Sequence, residues 1–286
     1  MREAAPILVA GLDHSGKTAL RAALEAHPAI HIARHVELWT RLRTSYAAGG
    51  DRRRVVVALT SGKAADLELD RDRLMGSAAS GDFPALVREV GRQLCERAGT
   101  SRWGLQEALL EFQAAQVLRD MPEARVIHLM RDPRRRYQEM RDRGAVGRGG
   151  LAAETAAWIA SARAASTAAA ARPDAYLVLR YESLVDEGEA SLRRICAFIG
   201  EPFDPGMGKR LPVPAAAESL PERDVAFVQD HAAPELVEHG YTLQPVAGRH
   251  ATLPQRLADA ALWLLGQLSW QRRARHLRPT LAWEGG

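Results

Sequence analysis

The segment that most constrains the fold is a glycine-rich turn near the amino terminus. Residues 11–18 read GLDHSGKT, which fits the pattern G-x-x-x-x-G-K-[ST]. The turn follows the apolar run Ile7–Ala10 and precedes a helical pattern in which Leu20 and Leu24 share one face. Glycines let backbone N–H groups converge on a phosphate, the helix amino terminus adds positive potential, and Lys17 supplies a full charge. The pattern predicts a phosphate-binding loop between a buried strand and a helix.

Two further apolar runs predict parallel strands of the same sheet. Val126–Met130 and residues 176–179 are short and rich in β-branched residues or leucine. Val55–Leu59 is a candidate for another strand. Helical stripes are predicted at Leu105, Leu109 and Phe112, and at Leu192, Ile195, Cys196 and Ile199 before a stop at Gly200. Strands that alternate with helices form a parallel sheet covered on both faces, so we predict a three-layer α/β/α fold.

Composition and charge limit the partners and the compartment. The net charge of +4 is small for 286 residues, and the interleaving of aromatic and basic residues that is typical of a nucleic-acid-binding module does not appear, so we predict no nucleic-acid binding. Cys95 and Cys196 lie in apolar segments without metal-ligand spacing, which favours buried thiols in a reducing compartment. The first apolar run is too short for a signal peptide, and no run approaches the roughly 20 residues of a membrane span. We therefore predict a cytoplasmic protein.

Two segments fall outside this alternation of strands and helices. Residues 141–150 are rich in glycine and arginine, which predicts a mobile loop. The tail predicts an amphipathic helix with a basic end. Its apolar face is formed by Leu253, Leu257, Ala260, Ala261, Leu264 and Leu268. We expect this helix to pack on the domain, and contact with a membrane surface or a lipid acceptor is the alternative. The predicted division is one domain over residues 1–250 and a helical tail over residues 251–286.

The phosphate loop alone also fits nucleotide triphosphatases and small-molecule kinases, which hold Mg²⁺ at the threonine. Such an enzyme needs an acidic residue at the end of a neighbouring strand. Here the strand Val126–Met130 is followed by Arg131, Asp132 and Pro133. An arginine before the aspartate and a proline after it make a poor metal site and a good anion site. The sequence therefore predicts no metal.

Three blocks of sequence, in the same order, resemble the sulfotransferases that use 3′-phosphoadenosine 5′-phosphosulfate (PAPS). They read ILVAGLDHSGKTALRAALEAHPAI, MPEARVIHLMRDPRRRYQEM and YLVLRYESLVDEGEASLRRICAFIGEPFDP. The resemblance implies a P-loop NTPase-like sulfotransferase fold over most of residues 6–205. It also implies transfer of a sulfuryl group from PAPS to a hydroxyl or amine of a small-molecule, glycan or lipid acceptor. An ATP-dependent kinase and a catalytically inactive nucleotide-binding relative are the alternatives.

The resemblance also assigns residues to the site. The loop residues that would hold the 5′-phosphosulfate are Gly11, His14, Ser15, Gly16, Lys17, Thr18 and Ala19. Arg131 would bind the 3′-phosphate with its planar guanidinium, and Tyr181 would lie near the nucleotide. Lys17 would also act in catalysis by neutralising the leaving group. His35 would be the general base, since an unperturbed imidazole has a pKa of about 6.5; Glu37 would orient His35 or be the base itself.

The chain departs from the family pattern at several of these positions. His14 stands where arginine or lysine is common, and Lys17 stands where threonine is usual, so the positive charge of the loop has moved by three residues. Gln106 replaces a lysine, and Glu139 replaces a serine eight residues after Arg131. Because a carboxylate would repel a bound phosphate, we expect Glu139 to point away from Arg131 or the register of the helix to differ.

Overall fold

The structure is a computed structural model that describes residues 5–34, 37–43, 46, 52–211, 220–246 and 253–277. Its centre is a parallel five-stranded sheet in the order β2-β3-β1-β4-β5. The strands are β1 (Ile7–Ala10), β2 (Ile30–Ala33), β3 (Arg102–Gln106), β4 (Arg125–Met130) and β5 (Tyr176–Arg180). The predicted strands lie in β1, β4 and β5. Since β1 is the central strand, the loops that follow β1, β3 and β4 meet at one edge of the sheet, where ligands of open α/β folds bind.

Helices surround this sheet. They are α1 (Lys17–Glu25), α2 (Arg52–Leu59), α3 (Arg71–Ser80), α4 (Phe83–Ala98), α5 (Ala114–Asp120), α6 (Pro133–Asp142), α7 (Gly150–Ala171), α8 (Tyr181–Asp186), α9 (Gly188–Ile199), α10 (Glu222–Glu238) and α11 (Leu253–Arg273). A π-helical turn spans Leu38–Leu42, and short 3₁₀-helices span Gly62–Leu67, Leu110–Gln113, Pro205–Arg210 and Ala274–Leu277. Gly200 follows α9 with φ +76°, which confirms the predicted stop.

The core lies on both faces of the sheet. Ile7 and Val9 of β1 pack against α1 and α9, whereas Leu8 and Ala10 pack in the cluster that contains α4 and α5. Successive residues of a strand point to opposite faces, so a strand that is apolar throughout needs a cover on each side. The arrangement is the predicted three-layer α/β/α fold.

Two predictions from periodicity are wrong. Val55–Leu59 belongs to α2: Val55, Val56 and Leu59 are buried whereas Val57 is exposed, and this is the spacing of one helical face. Leu105 lies in β3, so its apolar neighbours up to Phe112 do not form one helix with it. Valine and leucine fit either element, and here the tertiary partners decide between strand and helix.

Strands β2 and β3 were not predicted. β3 contains Gly104, where an added Cβ would lie 2.1 Å from the carbonyl oxygen of Ile7. The glycine therefore lets β3 approach β1, but it also interrupts the apolar pattern by which a strand is recognised.

The tail helix α11 packs against α7, as expected, but not through its predicted apolar face. Trp263 and Trp270 face the domain, and Gly266 lies so close to α7 that an added Cβ would stand 2.4 Å from the Cβ of Ala152. Leu264 and Leu268, which belong to the predicted face, are 60% and 50% exposed. Within the described ranges, no helix has the length and apolar character that crossing a bilayer requires.

Candidate active site

The loop after β1 requires glycine at two positions. Gly11 has φ +129°, and an added Cβ would lie 2.4 Å from the carbonyl oxygen of Leu129 in β4. Gly16 caps the amino terminus of α1 with φ +96°, and an added Cβ would lie 2.1 Å from Cδ2 of Tyr181. Residues that have a Cβ atom rarely adopt positive φ values of this kind. The two glycines thus let the loop close against β4 and against the ring of Tyr181.

A buried chain of hydrogen bonds anchors the loop from beneath. The carboxylate of Glu111 accepts the N–H of Gly11 at 3.1 Å and the hydroxyl of Ser161 at 2.8 Å. Nε2 of His128 lies 3.1 Å from Ser161 Oγ, and its Nδ1 lies 2.8 Å from the hydroxyl of Tyr176. Burial lowers the pKa of His128 to about 4, so the imidazole is neutral. Because Ser161 donates to Glu111, His128 donates through Nε2 and accepts the hydroxyl of Tyr176.

Lys17 is turned towards the loop itself. Its Nζ donates to the carbonyl oxygens of Gly11 at 2.5 Å and Leu12 at 2.8 Å, and it lies 3.6 Å from a carboxylate oxygen of Asp13. The side chain is buried, and this burial lowers the pKa of Lys17. The lysine therefore holds the curl of the loop, and an anion in the loop would compete with these carbonyls for the ammonium group.

A cavity of about 660 Å³ opens over the loop and the ends of β3, β4 and β5. The predicted site residues that line it are His14, Gly16, Lys17, Thr18, Ala19, Arg131 and Tyr181. Gln106 and Glu139, the two departures from the family pattern, also line it, and so do Asp13, Ala22 and Arg143, which were not predicted. The structure thus brings the loop of β1 and the arginine of β4 to one cavity. Of the other predicted residues, Gly11 contacts Glu111 and Leu129, and Ser15 is buried within the loop.

The predicted base is His35, and its neighbour Glu37 is not among the residues that line this cavity. His35 lies outside the described residues. The carboxylate of Glu37 is 3.5 Å from Nη1 of Arg41, and Glu37 lines a separate cavity of about 490 Å³ that also contains Lys63.

Arg131 is paired with Glu139, which corrects the expectation for this carboxylate. Nη1 of Arg131 donates to the carboxylate of Glu139 and, at 3.2 Å, to the carbonyl oxygen of His14. The guanidinium carbon of Arg131 stands 4.6 Å from the centre of the Tyr181 ring. Glu139 also contacts Nε of Arg143 at 3.1 Å. Arg131 precedes α6 and Glu139 lies within it, so the turn by which the chain passes from β4 into α6 brings the guanidinium back over the carboxylate.

The residues around Arg131 have structural partners. The carboxylate of Asp132 accepts the N–H of Arg134 at 2.9 Å and the guanidinium of Arg134 at 2.6 Å. Glu182 accepts the N–H of Asp132 at 2.9 Å, and Arg180 donates to the carbonyl oxygen of Gly240 at 2.5 Å. Asp132 is therefore engaged in capping α6. In the described part of the chain, no three His, Cys, Asp or Glu side chains are grouped so that they could hold a metal ion.

Glu107 is a buried acid that the sequence did not point out. It directly follows β3 and accepts the N–H of Thr40 at 2.7 Å and the hydroxyl of Thr40 at 2.5 Å. Burial raises the pKa of Glu107 to about 7, although the bonds from Thr40 act in the opposite direction. The carboxyl group ties the π-helical turn Leu38–Leu42 to the end of β3. It was missed because β3 itself was missed.

The wild type is expected to lose stability between about pH 5 and about pH 8 because Glu107 ionises in this range, and Glu107→Gln is expected to lose less. The pKa of Glu107 rises from 4.5 in the unfolded chain to about 7, so the stability it contributes is complete below pH 4.5 and is lost as the pH rises through about 7. A shift of this size corresponds to roughly 3 kcal/mol. Urea unfolding of the wild type and of Glu107→Gln at both pH values measures the difference. Glu187→Gln, at an exposed position, is the control; equal pH dependence in all three proteins would contradict the assignment.

A sequence model of the sulfotransferase family matches residues 6–205. Among solved structures, the sulfotransferase STF9 from Mycobacterium avium is 15% identical with a TM-score of 0.51, and the match covers 85% of this chain and 79% of that one. The sulfotransferase domain of the Synechococcus PCC 7002 olefin synthase is 20% identical with a TM-score of 0.49, covering 92% of this chain and 96% of that one. No curated protein sequence matches. The family match runs from β1 into the 3₁₀-helix after α9 and includes the loop, Arg131 and Tyr181, and the chain therefore belongs to the sulfotransferase family.

Proposed function

We propose that the protein transfers a sulfuryl group from PAPS to a hydroxyl or amine of a small-molecule, glycan or lipid acceptor. The observation that carries this proposal is the single cavity shared by the phosphate loop and Arg131. A donor with charged groups on both its 5′ and 3′ sides needs two anion-binding places at one cavity. The loop at the end of β1 supplies one, and the arginine at the end of β4 supplies the other.

Two buried polar atoms support a ligand at this place. Ser15 Oγ in the loop and Gln106 Oε1 at the cavity have no hydrogen-bond partner within the described part of the protein. Buried polar groups in native proteins are nearly always hydrogen-bonded. Gln106 lines the cavity, whereas Ser15 lies inside the loop and does not, so the hydroxyl of Ser15 can donate to an oxygen of a phosphosulfate only after the loop rearranges.

The residues of this chain would act by position and charge. Sulfuryl transfer needs the acceptor in line with the bond that breaks and stabilisation of charge on the leaving oxygen. In our proposal the amides of the loop and Lys17 stabilise the leaving 3′,5′-bisphosphate, for which Lys17 exchanges its contacts with the carbonyls of Gly11 and Leu12. His35 takes the proton of the acceptor, and the pairing of Glu37 with Arg41 supports His35 over Glu37 in that role.

Replacing Arg131 with alanine is expected to weaken binding of adenosine 3′,5′-bisphosphate at least about tenfold, or about 1.4 kcal/mol. The change removes a cation and takes one of two arginine partners from Glu139, and both effects disfavour a 3′-phosphate. Calorimetric titration of wild type and variant measures the affinity. Arg135→Ala removes the same charge from an exposed position of α6 and serves as the control.

The same titration tests the competing class of enzyme. Preference for ATP with Mg²⁺, unchanged in Arg131→Ala, would contradict the proposal and indicate a kinase. The full engagement of Asp132 with Arg134 disfavours that reading, since this aspartate is the acid at the end of the neighbouring strand.

A further inference from the structure

The tail helix α11 has two apolar faces, of which the domain covers one. The inner face packs through Trp263, Gly266 and Trp270. Trp263 stacks on His231 with ring centres 4.2 Å apart, and Trp270 lies 5.5 Å from the ring of Phe112. These contacts fix the rotation of the helix about its axis, and therefore determine which side chains face outwards.

The outer face is a stripe of leucines. Leu257, Leu264, Leu265 and Leu268 are 64%, 60%, 63% and 50% exposed, and we call them the leucine stripe. They stand at positions i, i+7, i+8 and i+11 and so share one side of the helix. Five of the eight large hydrophobic side chains that are more than 40% exposed in the described residues lie on α11. Single exposed leucines are ordinary, but such a concentration marks an interaction surface.

The charge beside the leucine stripe is positive. Arg272 follows Leu268 at i+4 and so continues the same side of α11, Arg275 lies in the 3₁₀-helix that directly follows, and both are exposed. Asp259, the one acidic residue between positions 257 and 275, is directed to Arg223 at 3.4 Å. Arg273 points inwards, to Glu154 at 2.9 Å. The outer face of α11 thus carries leucines, then Arg272, and no carboxylate, and Arg275 adds a second positive charge directly after the helix.

We propose that the leucine stripe, together with Arg272 and Arg275, binds the surface of an anionic lipid bilayer. A helix that presents leucines and arginines on one side lies in the plane of the interface, with the leucines among the acyl chains and the arginines at the headgroups. A second copy of the chain fits less well. In a symmetric contact between two such stripes, the arginines of one copy would meet no acidic residue of the other stripe.

The bilayer surface lies close to the candidate active site. Trp270 and Arg273, on the inner side of α11, line a cavity of about 390 Å³ together with Asp13 and His14 of the phosphate loop. One helix, about 10 Å across, therefore separates the leucine stripe from a cavity beside the loop. This relation to the site rests on the proposed function, whereas the lipid surface itself does not.

Cosedimentation with vesicles tests the surface. We expect the full chain to bind vesicles of phosphatidylcholine mixed with phosphatidylglycerol more tightly than vesicles of phosphatidylcholine alone. The double variants Leu264→Ser/Leu268→Ser and Arg272→Gln/Arg275→Gln are each expected to lower the partition coefficient on the anionic vesicles at least about tenfold. Val57→Ser, an exposed valine of α2, is the matched control and should bind as the wild type does.

Thermal unfolding of each variant shows that it is folded, and it requires neither nucleotide nor activity. The vesicle assay therefore tests the lipid surface even if the protein does not transfer a sulfuryl group. Absence of vesicle binding by the wild type, or equal binding by all variants, overturns the proposal. Sedimentation velocity tests whether a second copy of the chain binds the stripe instead. If the wild type does not bind vesicles but forms a dimer that Leu264→Ser/Leu268→Ser abolishes, the stripe is a dimer interface.

Discussion

Replacing Gly16 with alanine is expected to lower the affinity for adenosine 3′,5′-bisphosphate at least about a hundredfold, or roughly 2.7 kcal/mol. Gly16 has φ +96°, and the new Cβ would lie 2.1 Å from Cδ2 of Tyr181. Either the loop opens or the tyrosine ring moves, and the guanidinium of Arg131 stands over that ring at 4.6 Å. One methyl group therefore disturbs both of the proposed anion-binding places of the cavity.

Gly99→Ala separates this effect from a general loss of stability. Gly99 follows α4 with φ +66°, and apart from the adjacent backbone no atom of the described residues lies within 4 Å of an added Cβ. Alanine there meets the same backbone penalty of roughly 1–2 kcal/mol without a collision. We expect both variants to melt earlier and only Gly16→Ala to lose the nucleotide. Wild-type affinity in Gly16→Ala would show that the loop does not bind phosphate.

Replacing Glu139 with serine is expected to raise the affinity for adenosine 3′,5′-bisphosphate at least about tenfold relative to AMP, or about 1.4 kcal/mol. The carboxylate of Glu139 is bound to Arg131 and contacts Arg143, so it occupies the place of an anion. A 3′-phosphate must displace it and then remain beside its negative charge. Serine removes the competitor and frees both arginines, whereas AMP has no 3′-phosphate to benefit from them.

Two further variants show whether the gain passes through Arg131. Glu139→Gln keeps the size of the side chain and removes its charge, so it should reproduce most of the gain. In the double variant Arg131→Ala/Glu139→Ser the gain should largely disappear, which makes the pair a thermodynamic cycle. An equal gain for AMP and for the bisphosphate would point to the general field of the cavity and contradict the pairing as its cause.

Only part of the fold could be predicted from the sequence. The strand, glycine turn and helix from Ile7 to Glu25 were predicted because their signals are local: an apolar run, two glycines and a helical repeat. The strands β4 and β5 were predicted for the same reason. β2 and β3 were not, since the apolar run of β2 is interrupted by His31 and that of β3 by a glycine that serves a neighbour distant in sequence.

The residues of the site divide in the same way. The sequence marked Arg131 as an anion-binding group and marked Glu139 as a misfit eight positions later, but spacing alone did not say that the two side chains meet. That contact depends on where α6 leaves β4. Glu111 carried no signal at all, because its partners Gly11 and Ser161 are 100 and 50 positions away.

What the sequence by itself determined about this protein is therefore the class of fold, the strand, glycine turn and helix at its start, and the family, all of which rest on local patterns in a set order. Only the tertiary structure decided that Val55–Leu59 is a helix, that Glu139 faces Arg131 and that the leucines of α11 face outwards. Each of these depends on partners far along the chain. A helix with tryptophans on one side and leucines on the other can bury either side, and the close approach of Gly266 to Ala152 selects the tryptophans.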